Sequence, residues 1–189
     1  MVSPQPTTVP TSGELLRLQD DAGVEFVNGQ ILEKPVSIQS GKLELAIAWA
    51  LLNEAMRTGS VEVYPASVGY RCFSDDPMKF RRPDVSVVRK DRMARVDPDE
   101  GFMPIPPDLA VEVVSPNDLA YDLANKIEEY LKNGFPLIWI VYPSTRTVSI
   151  HRADGTVSLL HENDEICGES ALPEFKCKVA DFFASMAKP

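Results

Sequence analysis

The stretches RRPDVSVV at 81–88 and PPDLAVEVVS at 106–115 decide the fold of this 189-residue chain. Each leads from proline into a β-branched apolar run, which is typical of a buried strand. Asp84 opens the first run and Glu112 lies inside the second. A carboxylate has little reason to lie in a buried strand unless it is paired or holds a metal ion. The two stretches therefore predict strands that carry a functional pair of acids.

Helical and strand patterns alternate around these stretches, which predicts an α/β domain with a mixed sheet and flanking helices. Asn28-Gly29 predicts a type I′ hairpin within 24–34. A long helix is expected over 40–57, with Trp49 on its buried face. LIWIV at 137–141 is typical of a central strand. The other predicted elements are a short helix ending near Gly23, a strand over 61–73 bent at Pro65, a helix over 119–133, a hairpin at Asp154-Gly155 and a short C-terminal helix.

Length and composition indicate one domain. Residues 13–189 are enough to bury a substantial core, and the Pro- and Thr-rich residues 1–12 are expected to be a disordered or packing arm. The chain lacks a secretory signal and an apolar run that could span a bilayer, so a cytoplasmic location without membrane contact is expected. Cys72, Cys167 and Cys177 show no CxxC spacing, which favours buried free thiols over a disulfide or a zinc site.

The net charge of −9 argues against broad affinity for nucleic acids, because phosphate binding depends on Lys and Arg. The charge is unevenly distributed along the chain. Residues 71–95 carry eight basic and four acidic side chains, whereas residues 96–130 carry nine acidic ones and Lys126 alone. A basic stretch beside an acidic one suits a site that binds a polyanion and a divalent cation, although a solvated charged surface explains the same pattern.

Asp84 and Glu112 can face one cleft if their strands pair in a suitable register. Carboxylate oxygens favour Mg²⁺, with Mn²⁺ as a substitute, and such an ion assists hydrolysis of a phosphodiester by activating water. Lys126, on the following helix, can reach the strand end and orient the water or stabilise the phosphate charge. The alternative for Lys126 is an i,i+4 pair with Asp122, and for Asp84 it is a turn residue after Pro83.

These residues, with the order of the fragments around them, resemble the Uma-type family of restriction endonucleases within the PD-(D/E)XK nuclease superfamily. The similarity runs from about 25 to 183 and includes GVEFVNGQILEKP at 23–35 and NGFPLIWIVYP at 133–143. The resemblance implies a restriction-endonuclease-like core and Mg²⁺-dependent cleavage of DNA.

The resemblance assigns Asp84 to the aspartate of the PD motif and Glu112 to the acid of the (D/E)XK motif. Val114 stands where the lysine of that motif belongs. In the Uma-type group the lysine lies on the following helix, which implies Lys126 here. The resemblance also implies a further acidic metal ligand from the first long helix, for which Glu44 is the candidate.

Three functions follow, of which the first two are of different kinds. The first is a Mg²⁺-dependent DNA endonuclease that acts as a homodimer, because cutting both strands takes two sites. The alternative is a nuclease-derived module that binds DNA or assembles without cleaving, which the acidic charge and Val114 favour. A phosphodiesterase acting on RNA or small nucleotides ranks third, since no RNA-recognition motif is present. The side chains expected to contact the DNA backbone are Arg81, Arg82, Arg89, Lys90 and Arg92.

Overall fold

The computed structural model describes residues 21–186 apart from 22, 35, 36, 95, 100 and 185. The predicted N-terminal arm and the short helix before Gly23 lie outside these described residues. Along the described part of the chain the elements are β1 (Val24–Val27), β2 (Gln30–Glu33), α1 (Ile38–Thr58), β3 (Val61–Pro65), β4 (Gly69–Tyr70), β5 (Val85–Arg89), α2 (Lys90–Met93), β6 (Phe102–Met103), β7 (Leu109–Val113), α3 (Ala120–Lys132), β8 (Leu137–Tyr142), β9 (Thr147–Arg152), β10 (Val157–Leu160), β11 (Glu165–Gly168), β12 (Leu172–Lys178) and α4 (Val179–Phe182).

The main sheet has six strands in the order β10-β9-β8-β7-β5-β3. β7 and β8 pair in parallel. Parallel neighbours need a crossover connection, and α3 supplies it here. The other neighbours in this sheet are antiparallel. The predictions of a mixed sheet and of a central strand at 137–141 are therefore confirmed.

Helix α1 lies against the sheet through a buried stripe of Leu43, Ile47, Leu51 and Ala55. Ser37 Oγ caps its start by accepting the backbone N–H of Ser40, and Gly59 ends it at φ 66°. The prediction that Trp49 is buried is wrong, since 67% of it is exposed. At about 100° per residue, position 49 lies on the side of the helix opposite the buried stripe.

The predicted hairpin at Asn28-Gly29 is confirmed, with φ of 51° and 78° at the two turn residues. The hairpin docks on the chain just before β5. Phe26 and Phe80 exchange two backbone hydrogen bonds, at 3.1 and 2.9 Å. This docking brings the residues of β1, and those that follow β2, next to Asp84.

The remaining elements follow the predictions with three differences. The strand expected over 61–73 is divided into β3 and β4, with Pro65 ending β3. The connection after β5 contains α2 and β6 rather than irregular chain alone.

Cys72, Cys167 and Cys177 are free, as predicted, but only partly buried. The hairpin at Asp154-Gly155 is confirmed. Within the described residues, no helix is long and apolar enough to cross a membrane.

Candidate active site

The register between β5 and β7 places Asp84 next to Glu112. Val85 pairs with Val111, so the residue that precedes β5 lies level with the end of β7. Asp84 Oδ2 accepts the backbone N–H of Val113 at 2.6 Å. Both carboxylates are 7% exposed and line one cleft. The structure thus places the two sequence-predicted acids together.

Lys126 reaches the same cleft from α3. Its Nζ lies 2.8 Å from Glu112 Oε1 and 3.1 Å from Glu25 Oε1. The structure therefore shows it paired with these buried carboxylates rather than with Asp122 in the i,i+4 pair considered from the sequence. One turn later, the Tyr130 hydroxyl donates to Glu112 Oε1 at 2.8 Å. Tyr130 is fully buried, so its hydroxyl fixes the orientation of the Glu112 carboxylate.

Glu25 was missed by the sequence reasoning. Its Oε1 accepts the backbone N–H of Arg82, and its Oε2 accepts Arg81 Nη1, each at 2.8 Å. It is a carboxylate in the buried run VEFV, which is the signal that identified Glu112 in LAVEV. The same argument applied to β1 would have found it.

Lys34 is the second missed residue, and it lies between the two predicted acids. Its Nζ is 2.8 Å from Asp84 Oδ1 and 4.0 Å from Glu112 Oε2, and it also donates to the Arg82 carbonyl. A lysine after a hairpin strand resembles an ordinary surface residue, so no local pattern signals this contact. The docking of the hairpin alone produces it.

Opposing charges set the ionisation of this cluster. Burial raises the pKa of Glu25, but the charges of Lys126 and Lys34 outweigh it, and the pKa falls to about 2. Burial also opposes the charge on Lys34, yet Glu112 and Asp84 raise its pKa above the ordinary range. Burial raises the pKa of Glu112, and Lys126 acts against that shift.

Glu44, the acid implied on the first long helix, lies on α1 and lines the same cleft. Burial raises its pKa to about 7, and the negative charges of Asp84 and Glu112 add to the shift, while Lys34 opposes it. Glu44 therefore lies in the field of the two other carboxylates. The structure places it in the cleft with Asp84 and Glu112, and its role as a metal ligand stays a prediction.

The cleft has a volume of about 1030 Å³ and is mainly acidic. Among the described residues, ten Asp and Glu side chains line it, against five Lys and Arg side chains. Such a surface attracts cations and repels phosphate until the negative charge is compensated.

Comparison with known proteins assigns the chain to a family. A family model described as "Putative restriction endonuclease", Uma2, matches residues 13–180. The chain belongs to the Uma2 family. A nuclease function is therefore the class of activity that its family supports.

A solved structure shares the Uma2 chain's fold. It is described as a "putative nuclease belonging to DUF820" from Anabaena variabilis, with a TM-score of 0.78 and 20% sequence identity. The match covers 93% of this chain and 98% of that chain. At this identity the likeness shows the fold, which is the predicted restriction-endonuclease-like sheet with flanking helices. No curated protein matches the chain.

The donor chemistry of the Uma2 cleft suits a divalent cation. Within the described residues, no three His, Cys, Asp or Glu side chains are arranged to hold a metal ion. However, Asp84 Oδ1 and Glu112 Oε2 both face Lys34 Nζ, so a positive charge already lies between two hard oxygen ligands. Glu44 lines the same cleft. Their oxygens are of the kind that Mg²⁺ prefers, and Lys34 Nζ lies in the position that an ion between them would take.

Two of the arginines expected to contact DNA are internal, which corrects that expectation. Arg82 is fully buried, and its Nε donates to the Val24 carbonyl at 3.1 Å. Arg81 pairs with Glu25 at 2.8 Å and Glu129 at 2.6 Å. These guanidinium groups hold the hairpin and α3 to the chain before β5. They therefore stabilise the structure around the site and are not available to contact DNA phosphates.

The other three basic residues lie at the far end of β5. Arg89 is five residues after Asp84, which corresponds to about 17 Å along a strand. Arg89 pairs with Asp91, and Arg92 pairs with Asp108 at 2.9 Å. Neither arginine lines the cleft, and Lys90 does not line it either. Arg89, Lys90 and Arg92 therefore lie apart from the carboxylates of the cleft.

Proposed function

We propose that this Uma2 protein is a Mg²⁺-dependent endonuclease that hydrolyses phosphodiester bonds in DNA. The observation that supports the proposal is the meeting of Asp84, Glu112 and Lys126 in one cleft. Two carboxylates with an adjacent ammonium are the groups that metal-assisted hydrolysis of a phosphodiester requires. Membership of a family described as restriction endonucleases supports DNA as the substrate.

Asp84 and Glu112 would hold the ion, with Glu44 as an additional acid from α1. When bound, Mg²⁺ supplies charge for the phosphate and lowers the pKa of a bound water. Apart from the contact of Lys34 with Asp84 Oδ1, the hydrogen bonds within the site leave one oxygen of each carboxylate for this role. Val113 N–H occupies Asp84 Oδ2, whereas Lys126 Nζ and the Tyr130 hydroxyl occupy Glu112 Oε1.

Lys126 would act on the phosphate or on the attacking water. Its Nζ is held by Glu112 and Glu25, so its position is set before substrate arrives. Glu25 is in turn fixed by Arg81 and by the backbone of Arg82. This arrangement places a pre-oriented hydrogen-bond donor beside the proposed metal ligands.

Lys34 would be a competitor of the metal ion. Its ammonium contacts the Asp84 oxygen that the proposal assigns to Mg²⁺. Metal binding must therefore displace Lys34, which makes the affinity for the ion lower than two bare carboxylates would provide. After displacement, Lys34 adds a positive charge to a cleft in which acids outnumber bases two to one. That charge favours the approach of a DNA phosphate.

The test is nicking of supercoiled DNA with Mg²⁺ by Asp84→Asn and Glu112→Gln variants. Both are expected to lose cleavage while keeping the far-ultraviolet circular dichroism spectrum of the wild type. Asp122→Asn is the matched control, because Asp122 lines the cleft but lies outside the proposed metal set. It is expected to cleave normally. Wild-type rates from either of the first two variants would reject the assignment.

The position of Lys34 also favours a second candidate, an inactive nuclease-derived module. A lysine that neutralises Asp84 permanently would stabilise the fold and keep metal ions out. Isothermal titration with Mg²⁺ and Mn²⁺ separates the two functions. Metal binding by the wild type that is lost in Asp84→Asn supports the nuclease. The absence of binding heat at millimolar metal, together with the absence of DNA nicking, supports the inactive module.

A further inference from the structure

The β1–β2 hairpin has two faces with different surroundings. Side chains alternate between the faces along a strand, so Phe26 and Val27 lie on opposite faces. The face of Phe26 packs on the chain before β5, where the rings of Phe26 and Phe80 stack with their centroids 6.4 Å apart. The face of Val27 lines the cleft of the proposed active site. The hairpin therefore forms one wall of this cleft.

Strand β2 brings two exposed side chains to the same wall. Gln30 pairs with Val27 and Leu32 pairs with Glu25, so both lie on the face that lines the cleft. Gln30 is exposed, as is 38% of Leu32. Asn28, in the turn, is also exposed and lines the cleft. The wall thus presents two amides and an apolar side chain to a molecule that enters the cleft.

The side-chain amides of Asn28 and Gln30 have donors and acceptors to offer a ligand. Among the described residues, neither of these amides forms a hydrogen bond. A primary amide carries N–H donors beside a carbonyl acceptor, so it can form two hydrogen bonds with one planar partner. In the major groove of DNA, adenine presents the matching pair, with N7 as the acceptor and N6 as the donor.

Charge favours the hairpin as the part of the cleft that approaches DNA bases. Residues 27–32 carry no charged side chain. On the α3 side, four acids and two lysines line the cleft: Asp118, Asp122, Glu128, Glu129, Lys126 and Lys132. The phosphates along a groove repel a surface with excess negative charge, whereas an uncharged hairpin can enter between them.

The dimensions of the hairpin suit the major groove. A two-stranded ribbon fits this groove, which is about 12 Å wide and about 8.5 Å deep. Lys34, which follows β2, contacts Asp84 at 2.8 Å, so this end of the hairpin lies at the proposed metal site. Gln30 is four residues earlier, which corresponds to about 13 Å along a strand. With one end beside the cleaved phosphate, the hairpin can place its tip against base edges.

We propose that the β1–β2 hairpin contacts base edges in the major groove of DNA, and that Gln30 and Asn28 determine the base preference of the protein. This inference rests on the proposed action of the cleft on DNA. Gln30 binds adenine through N6 and N7, and Leu32, on the same face, contacts a thymine methyl group. Asn28 supplies a second amide at the tip. The protein therefore prefers an A·T pair at a fixed distance from the cleaved bond.

The experiment measures which DNA sequences the full chain binds and cleaves. A duplex library with a randomised central stretch is incubated with the protein in Ca²⁺ for binding and in Mg²⁺ for cleavage. The bound duplexes and the cleaved ends are then sequenced. The wild type is expected to enrich an A·T pair at one position by about tenfold or more in both selections.

Gln30→Met removes the amide while nearly keeping the length of the side chain. This variant should lose the enrichment at that position, so that favoured and disfavoured duplexes are bound alike. Gln39→Met is the matched control, because Gln39 is exposed on α1 and does not line the cleft. It should keep the wild-type preference. Asn28→Gly removes the second amide and keeps a residue that tolerates the φ of 51° in the turn, so it provides an independent test.

The outcomes separate this inference from the proposed nuclease. Cleavage without a base preference, or a preference that survives both Gln30→Met and Asn28→Gly, would overturn the recognition role and leave the nuclease standing. A base preference in Ca²⁺ that Gln30→Met removes, without cleavage by the wild type in Mg²⁺, would support the recognition role and reject the nuclease. Failure of the wild type to bind duplex DNA with either cation would overturn both. Circular dichroism reports whether each variant is folded, and Gln30→Ser replaces Gln30→Met if that variant is not.

Discussion

The Lys34 ammonium lies 2.8 Å from Asp84 Oδ1, at the point where the N-terminal hairpin meets the start of β5. Glu112 Oε2 faces the same ammonium at 4.0 Å. One lysine thus compensates two buried acids that the sequence alone would assign to a metal ion. Under the proposed function the site would have two states, one closed by Lys34 and one open to a cation.

Replacing Lys34 by methionine is expected to strengthen metal binding. Removal of the competing charge should lower the dissociation constant for Mg²⁺ by about tenfold or more, which corresponds to about 1.4 kcal/mol. Without metal, the variant should be less stable by about 3 kcal/mol, because two buried acids lose their partner. Isothermal titration and thermal unfolding with and without Mg²⁺ measure both effects.

Lys132→Met is the control for the Lys34 variant, since Lys132 is an exposed lysine of the same cleft. It should leave Mg²⁺ affinity and the melting temperature nearly unchanged. Equal or weaker Mg²⁺ binding by Lys34→Met would show that Lys34 does not compete with the ion.

Glu25 should make stability depend on pH in the acid range. Its pKa in the folded protein is about 2, below the ordinary value of 4.5, so its contribution is complete above pH 4.5 and is lost as the pH falls toward 2. The contribution is about 3 kcal/mol. Denaturant unfolding of Glu25→Gln should show lower stability than the wild type at pH 7.

The difference between Glu25→Gln and the wild type should shrink as the pH falls from 4.5 toward 2. At pH 2 about half of the wild-type carboxyl is itself protonated in the folded protein, so the two proteins become more similar. A difference that stays constant over this range would mean that Glu25 is not ionised within the cluster of Lys126, Lys34 and Arg81.

Tyr130→Phe separates hydrogen bonding from packing in the site. The ring should keep its stacking on Phe135, whose centroid is 4.3 Å away at an interplanar angle of 7°. The loss of the bond to Glu112 should cost about 1 kcal/mol of stability. Tyr130→Phe should also reduce the rate of single-turnover DNA cleavage less than Lys126→Met does. For Lys126→Met we expect this rate to fall by about 10²–10³-fold. The reverse order of the two variants would place the essential donor on Tyr130.

DNA binding should require a divalent cation. The acidic cleft repels phosphate, and Ca²⁺ can neutralise the carboxylates without supporting rapid hydrolysis. Fluorescence anisotropy of a labelled duplex should therefore show binding with Ca²⁺ and a large loss with EDTA. Arg92→Ala is the control, because Arg92 lies outside the cleft and should not alter the metal dependence. Equal affinity in EDTA would indicate that DNA binds at another surface.

Much of the fold could be predicted because its signals are local. The Asn28-Gly29 turn, the length of α1 and the apolar run at 137–141 depend on neighbouring residues, and each was found where the pattern placed it. The meeting of Asp84 with Glu112 was also predictable, since Asp84 directly precedes one apolar strand and Glu112 lies inside another. The errors concern orientation: helical spacing does not tell which of two apolar faces of α1 is buried, so Trp49 was placed on the wrong one.

The sequence by itself determined the strands, the hairpin, the long helix and the two acids, because turn chemistry and hydrophobic periodicity act between residues close along the chain. Only the tertiary structure decided that Lys34 neutralises Asp84 and that Glu25 binds the backbone of Arg82. These partners are 50 and 57 residues apart. Docking of the hairpin on the chain before β5 brings them together, and burial then makes each unpaired charge too costly to leave alone.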